Sequence, residues 1–211
     1  MLRLLALLGA VFFAFPAPAE AARPLTADRA HSLTVVVEAM LDERRAAIGT
    51  GVVIAQRGDT VTIATAAHVI APGHVRVIDD RRQELALIDS RVWGSDLALI
   101  TARILDRRRF DVAPLGRAQR DGSVYLYGHP ASGYWRYADA TVLDPSRTLP
   151  DGSGVDGFMI ACEACEHGDS GSGIFDSSGA LLGVLTAAWR DSSGRVRAIQ
   201  AVSIAPRLAG L

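Results

Sequence analysis

Residues 49–69 read GTGVVIAQRGDTVTIATAAHV. Two apolar runs rich in Val, Ile and Thr flank Arg57, Gly58, Asp59 and Thr60, and the second run closes on His68. Each run has the length and β-branched composition of a strand rather than a helix. Gly and Asp between them supply the positive φ of a tight hairpin. The stretch therefore predicts two antiparallel strands and a turn, with a histidine delivered at the end of the second strand.

The same pattern recurs on both sides. Short apolar runs appear at SLTVVVEAM (32–40), HVRVID (74–79), ELALID (84–89), DLALITA (96–102), SVYLYG (123–128) and ATVLD (140–144). Further runs follow at GFMIAC (157–162), SGIFD (172–176), LLGVLTAAW (181–189) and VRAIQAVSIA (196–205), with turn signals at SSGA (177–180) and DSSGR (191–195). Such spacing reads as an all-β barrel or sandwich. Helical periodicity is weak; EAMLDERRAAIG (38–49) fits either a helix or a long hairpin with a solvated tip. The segment DRRRFDVAPLG (106–116) reads as a connection between two halves, with Arg107, Arg108 and Arg109 in a solvated loop or, alternatively, in a substrate-binding basic patch.

The 211 residues suffice for a sizeable core, and a hydrophobic share of 49% beside 21% charged residues is that of a globular chain, not a disordered one. A formal net charge of -1 argues against a bulk electrostatic grip on nucleic acid or anionic lipid. The opening MLRLLALLGAVFFAF followed by PAPAEA has the basic start, apolar run and small residues of a signal peptide, cleaved after Ala19 or Ala21; an uncleaved anchor is the alternative. The apolar run is shorter than the ~20 residues of a spanning helix, so export, to the periplasm or beyond the cell, is expected.

Chemistry concentrates in ACEACEHGDSGSG, Ala161 to Gly173. Ser170 lies in a Gly-rich turn, and a serine hydroxyl becomes a nucleophile only with a base in reach and a third group to orient that base. All five histidines (31, 68, 74, 129 and 167) precede it. That order excludes the α/β-hydrolase arrangement, and Ser172 occupies the final glycine position of its G-x-S-x-G turn. Among the acids, Asp96 directly opens an apolar run, unlike Asp79, Asp80 and Asp89.

His68 in TAAHV, Asp96 in DLALI and Ser170 in GDSGSG, spaced by 28 and 74 residues, together resemble the trypsin/chymotrypsin-like serine peptidases, particularly their short bacterial secreted members. The resemblance implies two packed six-stranded antiparallel β-barrels, the first over 31–106 and the second over 107–211, behind a leader at 1–21 and an extension at 22–30. It implies His68 as base, Asp96 as its orienting acid, Ser170 as nucleophile, and the N–H groups of Gly168 and Ser170 as oxyanion hole. Ala164, His167, Thr186 and Ala188 would line the substrate pocket. No acid stands at the pocket base, so a preference for Arg or Lys is not implied; a small or aliphatic P1 residue is expected, unless Glu163 or Glu166 intervenes. The implied activity is an exported serine endopeptidase on polypeptides, without metal or organic cofactor, the alternative being a catalytically silent peptide-binding module of the same fold.

The resemblance breaks down at two places. Trypsin-like zymogens use a newly cut N-terminus to pair with the Asp before the nucleophile, here Asp169, yet no cleavage site precedes LTVVVEAM. Asp169 is therefore expected to pair with an arginine or with backbone amides. Cys162 and Cys165 depart from the family's long-range bridges. With His167 they offer only three metal ligands where structural zinc takes four, whereas an i, i+3 pair in a turn reaches disulfide separation. His129 reads as a loop histidine, and His31 and His74 carry no message.

Overall fold

The computed structural model describes residues 25–42, 46–71, 73–93, 96–106, 108–129, 133–148, 156–190, 192 and 196–204. The leader region, and the signal-peptide reading with it, lies outside them. Helix α1 (Ala27–Ser32) leads into β1 (Thr34–Met40), β2 (Ala46–Arg57), β3 (Thr60–Ala66), the four-residue helix α2 (Ala67–Ile70), β4 (His74–Ile78), β5 (Glu84–Val92) and β6 (Leu97–Arg103). After a connection come β7 (Ser123–Gly128), β8 (Arg136–Thr148), β9 (Asp156–Ala161), β10 (Gly173–Asp176), β11 (Leu181–Arg190) and β12 (Val196–Ser203). The strands close into two antiparallel six-stranded barrels, ordered β1-β2-β3-β6-β5-β4 and β10-β11-β12-β9-β8-β7. Among the described residues no helix is long and apolar enough to cross a membrane.

Three cores account for the apolar runs. Val35, Val37, Val53, Val61, Ile63, Val77 and Ile100 fill the first barrel, while Val124, Leu126, Val142, Phe158, Ile160 and Ile174 fill the second. A third cluster joins the barrels: Val52, Ile54, Ala64, Leu97 and Leu99 meet Phe175, Leu181, Val184 and Val202. Strands β2, β3 and β6 thus bury both faces. This is why VVIA, TIATA and LALI run apolar without alternation.

The segment 38–49 is a hairpin: β1 pairs with β2 from Thr34↔Val52 to Met40↔Ala46, and the helical alternative is excluded on the described residues. Its tip, residues 43–45, lies outside them. The turn at 177–180 is held by Asp176, whose Oδ1 accepts from Ser178 N and Ala180 N, each at 2.9 Å.

One expectation is corrected in the connection. Arg109 is exposed as a solvated loop requires, but Arg108 is not: its guanidinium is nine-tenths buried, 2.8 Å from Asp79 and 2.6 Å from Asp80, and lies over the Phe110 ring. The contact with Asp79 lacks hydrogen-bond alignment and so acts through charge. Gln56 completes the seam, donating to Arg108 O and accepting from Phe110 N. A charge in a run of arginines is usually solvated; here two carboxylates from the β4–β5 turn draw it inward. Arg107 lies outside the described residues.

Candidate active site

The site is built where strand ends from the two barrels meet. β3 ends against α2, and the N-terminus of α2 has no side-chain cap of its own. Asp96 serves instead: its carbonyl accepts from Ala67 N at 2.8 Å and its Oδ1 from His68 N at 2.8 Å. To do so Asp96 sits at φ +59°, a left-handed conformation that Asp tolerates better than most residues. The second carboxylate oxygen lies 2.7 Å from His68 Nδ1. An ionised carboxylate can only accept, so Nδ1 carries the proton and Nε2 is left with a free lone pair. The hydrogen bond to Asp96, reinforced by its charge, raises the imidazole above its ordinary pKa against the opposing effect of partial burial.

The segment between β9 and β10 carries Ser170. Cys162 and Cys165 are bonded to each other across a Cα separation of 5.7 Å, and both are buried in the second barrel's core, so the segment leaves β9 already anchored. Gly168 lies at φ +95° and Gly171 at φ +88°. At Gly171 an added Cβ would collide with Thr50 O and Thr65 Oγ1 of the first barrel, so this turn presses directly on the neighbouring domain. Thr50 N donates to Ser170 O and Gly171 N to Leu185 O, both at 2.8 Å. The N–H groups of Gly168 and Ser170 meet no acceptor among the described residues.

Asp169 turns away from the cleft and is buried. Arg136, at the start of β8, contacts its Oδ2 at 2.5 Å, and Glu166 N donates to the same oxygen at 2.8 Å. Burial pushes the Asp169 carboxyl above its ordinary pKa, and Arg136 and the amide pull it back. Arginine and amide are thus its partners, as the sequence suggested. Val35, where an activating cut would fall, lies inside β1, paired with Gly51.

A cleft of about 330 Å³ is lined by His68 and Ser170 together with Leu185, Thr186, Ala187, Ala188 and Ile199. Cys165 lines it too, and the exposed Glu166 and His167 form its rim. Of the four residues expected in the pocket, His167, Thr186 and Ala188 line it. Ala164 does not: the short Cys162–Cys165 loop holds it outward and exposed, and Cys165 takes the wall. Sequence reading passed over Leu185, Ile199, Arg136 and Thr50. Ile199 enters because β12 pairs Ile199 with Ala188, a register no local motif announces. His129 lies off the cleft, its N–H donating to Thr50 Oγ1 and its ring edge-on to Trp135, where burial lowers its pKa. His31 packs against the same Trp135 at a tilt of 55°.

Residues 49–184 match the family model described as trypsin-like peptidase domain. The Rv3671c protease of M. tuberculosis in its active form is similar over 95% of this chain and 92% of that one, with 22% identity and a TM-score of 0.69. A serine endoprotease from Yersinia pestis (18% identity, TM-score 0.66) and the HtrA-type protease AlgW bound to a tripeptide (19%, 0.68) each align with 88% of this chain. The chain spans 65% and 62% of those two proteins. At these identities the likeness is one of fold. No sequence among the curated proteins matches the chain.

Proposed function

The chain belongs to the trypsin-like peptidase family, and we propose that it is a serine endopeptidase in which Ser170 is the nucleophile, His68 the general base and Asp96 the acid that orients the base. The observation that carries this reading is the double grip of Asp96 on His68, backbone and ring together, beside a cleft that Ser170 also lines. His68 Nε2 takes the Ser170 hydroxyl proton as Oγ attacks the scissile carbonyl carbon. The oxygen, now negative, is received by the free N–H groups of Gly168 and Ser170. As the tetrahedral adduct collapses, the C–N bond breaks and His68 returns the proton to the departing amine, leaving an acyl-enzyme. Water, deprotonated by His68, then releases the acid product and restores Ser170.

The cleft walls suit a small or aliphatic P1 side chain. Leu185, Ile199, Ala188 and Cys165 are apolar, and Glu166, the acid on the rim, is already engaged by Arg136 at 3.0 Å. Glu163, exposed within the disulfide loop, does not line the cleft. The signal-like residues 1–21 support export to a periplasm or the outside, where a disulfide persists.

A fluorophosphonate probe followed by mapping of the modified residue tests the reading. The expected label is on Ser170, lost in Ser170→Ala, with Ala, Val or Leu at P1 cleaved at least about tenfold faster than Lys or Arg, since one methylene gained or lost in a hydrophobic pocket is worth ~1–3 kcal/mol. An unlabelled Ser170 in folded protein would leave a peptide-binding module instead.

A further inference from the structure

We infer that Thr50, a first-barrel residue outside the cleft, is the positioning residue that keeps the oxyanion loop of the second barrel in its working shape. This deepens the catalytic reading above and rests on it. Thr50 is fully buried, and its hydroxyl and N–H are both committed across the junction between the barrels. Its hydroxyl donates to Gly168 O at 3.2 Å and accepts from His129 N at 2.9 Å. Its N–H donates to Ser170 O at 2.8 Å, and its own carbonyl accepts from Thr65 Oγ1 at 2.7 Å.

The carbonyls of Gly168 and Ser170, on either side of Asp169, are thus both held by one residue of β2. Fixing these two carbonyls restrains the peptides between them, the one that carries the Ser170 N–H included, and anchors Gly168 next to the peptide that carries its own N–H, so the two N–H groups keep a more constant relation to each other. Stabilising an oxyanion needs that constancy, because donors that must reorient during the reaction lose most of their effect. Gly168 at φ +95° has no Cβ to resist rotation, so the restraint has to come from outside the loop. The Thr50 hydroxyl is one such external hold on the Gly168 carbonyl. It is also why the two barrels must be docked before the site is complete.

Thr50→Val keeps the shape and removes the hydroxyl; Thr50→Ser keeps the hydroxyl. We expect Thr50→Val to lower kcat about 10- to 100-fold, below the ~10²–10³ cost of deleting an oxyanion donor outright, with KM unchanged within about twofold. Thr50→Ser should retain activity within about threefold. A peptidyl trifluoromethyl ketone, which forms the tetrahedral adduct, should bind Thr50→Val more weakly by the same factor as kcat falls. Amide hydrogen exchange of the segment 166–172 should quicken in the valine variant and not in the serine one. Should valine impair folding, Thr50→Cys, with a weakly donating thiol in similar volume, carries the same comparison. Wild-type kcat with unchanged exchange in a folded Thr50→Val protein would overturn the inference. An inert Ser170 in the wild type would overturn the catalytic reading instead, and the exchange comparison would still decide whether Thr50 holds the loop.

Discussion

Asp96 does two tasks with one carboxylate. Oδ1 caps the start of α2 and Oδ2 holds the ring of His68, so the side chain that sets the tautomer also sets the position of the helix turn bearing it. Because the hydrogen bond to Asp96 is the leading cause of the raised His68 pKa, the pH dependence has a definite sign. His68 must be neutral to act as base, so the acid limb of kcat/KM should lie above the ordinary imidazole value of 6.5. Asp96→Asn removes that cause and should move the limb downward, while kcat drops about 10⁴-fold because the amide favours the wrong tautomer; a pH–rate profile reads both. For stability the direction is opposite: the His68–Asp96 pair contributes below pH 6.5 and its contribution is lost as pH rises through the raised value. The protein is therefore expected to work at a pH where His68 has given up this stabilisation.

At the scale of elements, the loop from β9 to β10 is held from three directions: by its own disulfide, by Thr50 of β2 and by Arg136 of β8. The Arg136 contact is a nearly buried pair, with the Asp169 side chain 6% exposed and the arginine 25%. Arg136→Met would strand the carboxylate without its cation, and stability at neutral pH should fall by roughly 2–4 kcal/mol, toward the lower end for a buried pair since the arginine keeps some water contact. Asp169 already titrates above its ordinary 3.8, and the variant would raise it further. A raised carboxyl disfavours the charged form in the fold, so the deficit relative to wild type should be small in acid and grow as pH rises through the carboxylate range. Urea unfolding of both proteins across that range checks the sign.

For the molecule as a whole, the connection between the barrels is pinned by a buried cation, Arg108, held by two acids of the β4–β5 turn. Arg108→Leu leaves Asp79, 1% exposed, and Asp80 without their cation and should destabilise by about 3–5 kcal/mol. Adding Asp79→Asn should recover a large part, because Asp79 Oδ1 also accepts from Arg81 N and Gln83 N and an amide oxygen can do the same. Denaturant unfolding of the single and double variants tests the pair. The barrels were legible from apolar runs and turn residues, since strand periodicity is local, and the candidate trio His68, Asp96 and Ser170 from the resemblance carried by TAAHV, DLALI and GDSGSG. Arg108 was not, because its burial depends on acids 28 and 29 positions away. Thr50 and Ile199 were hidden for the same reason: a threonine or isoleucine in a strand looks alike whether it fills a core or meets a loop from another barrel. Ala164 was misplaced because a four-residue disulfide loop resets which side chain faces inward. The internal pairing of Asp169 has one last implication. With its counter-ion encoded in β8, Asp169 does not depend on a newly cut N-terminus for its charge partner, and the folded chain is expected to be active without a second cleavage; N-terminal sequencing of active protein that found a start near Val35 would contradict this.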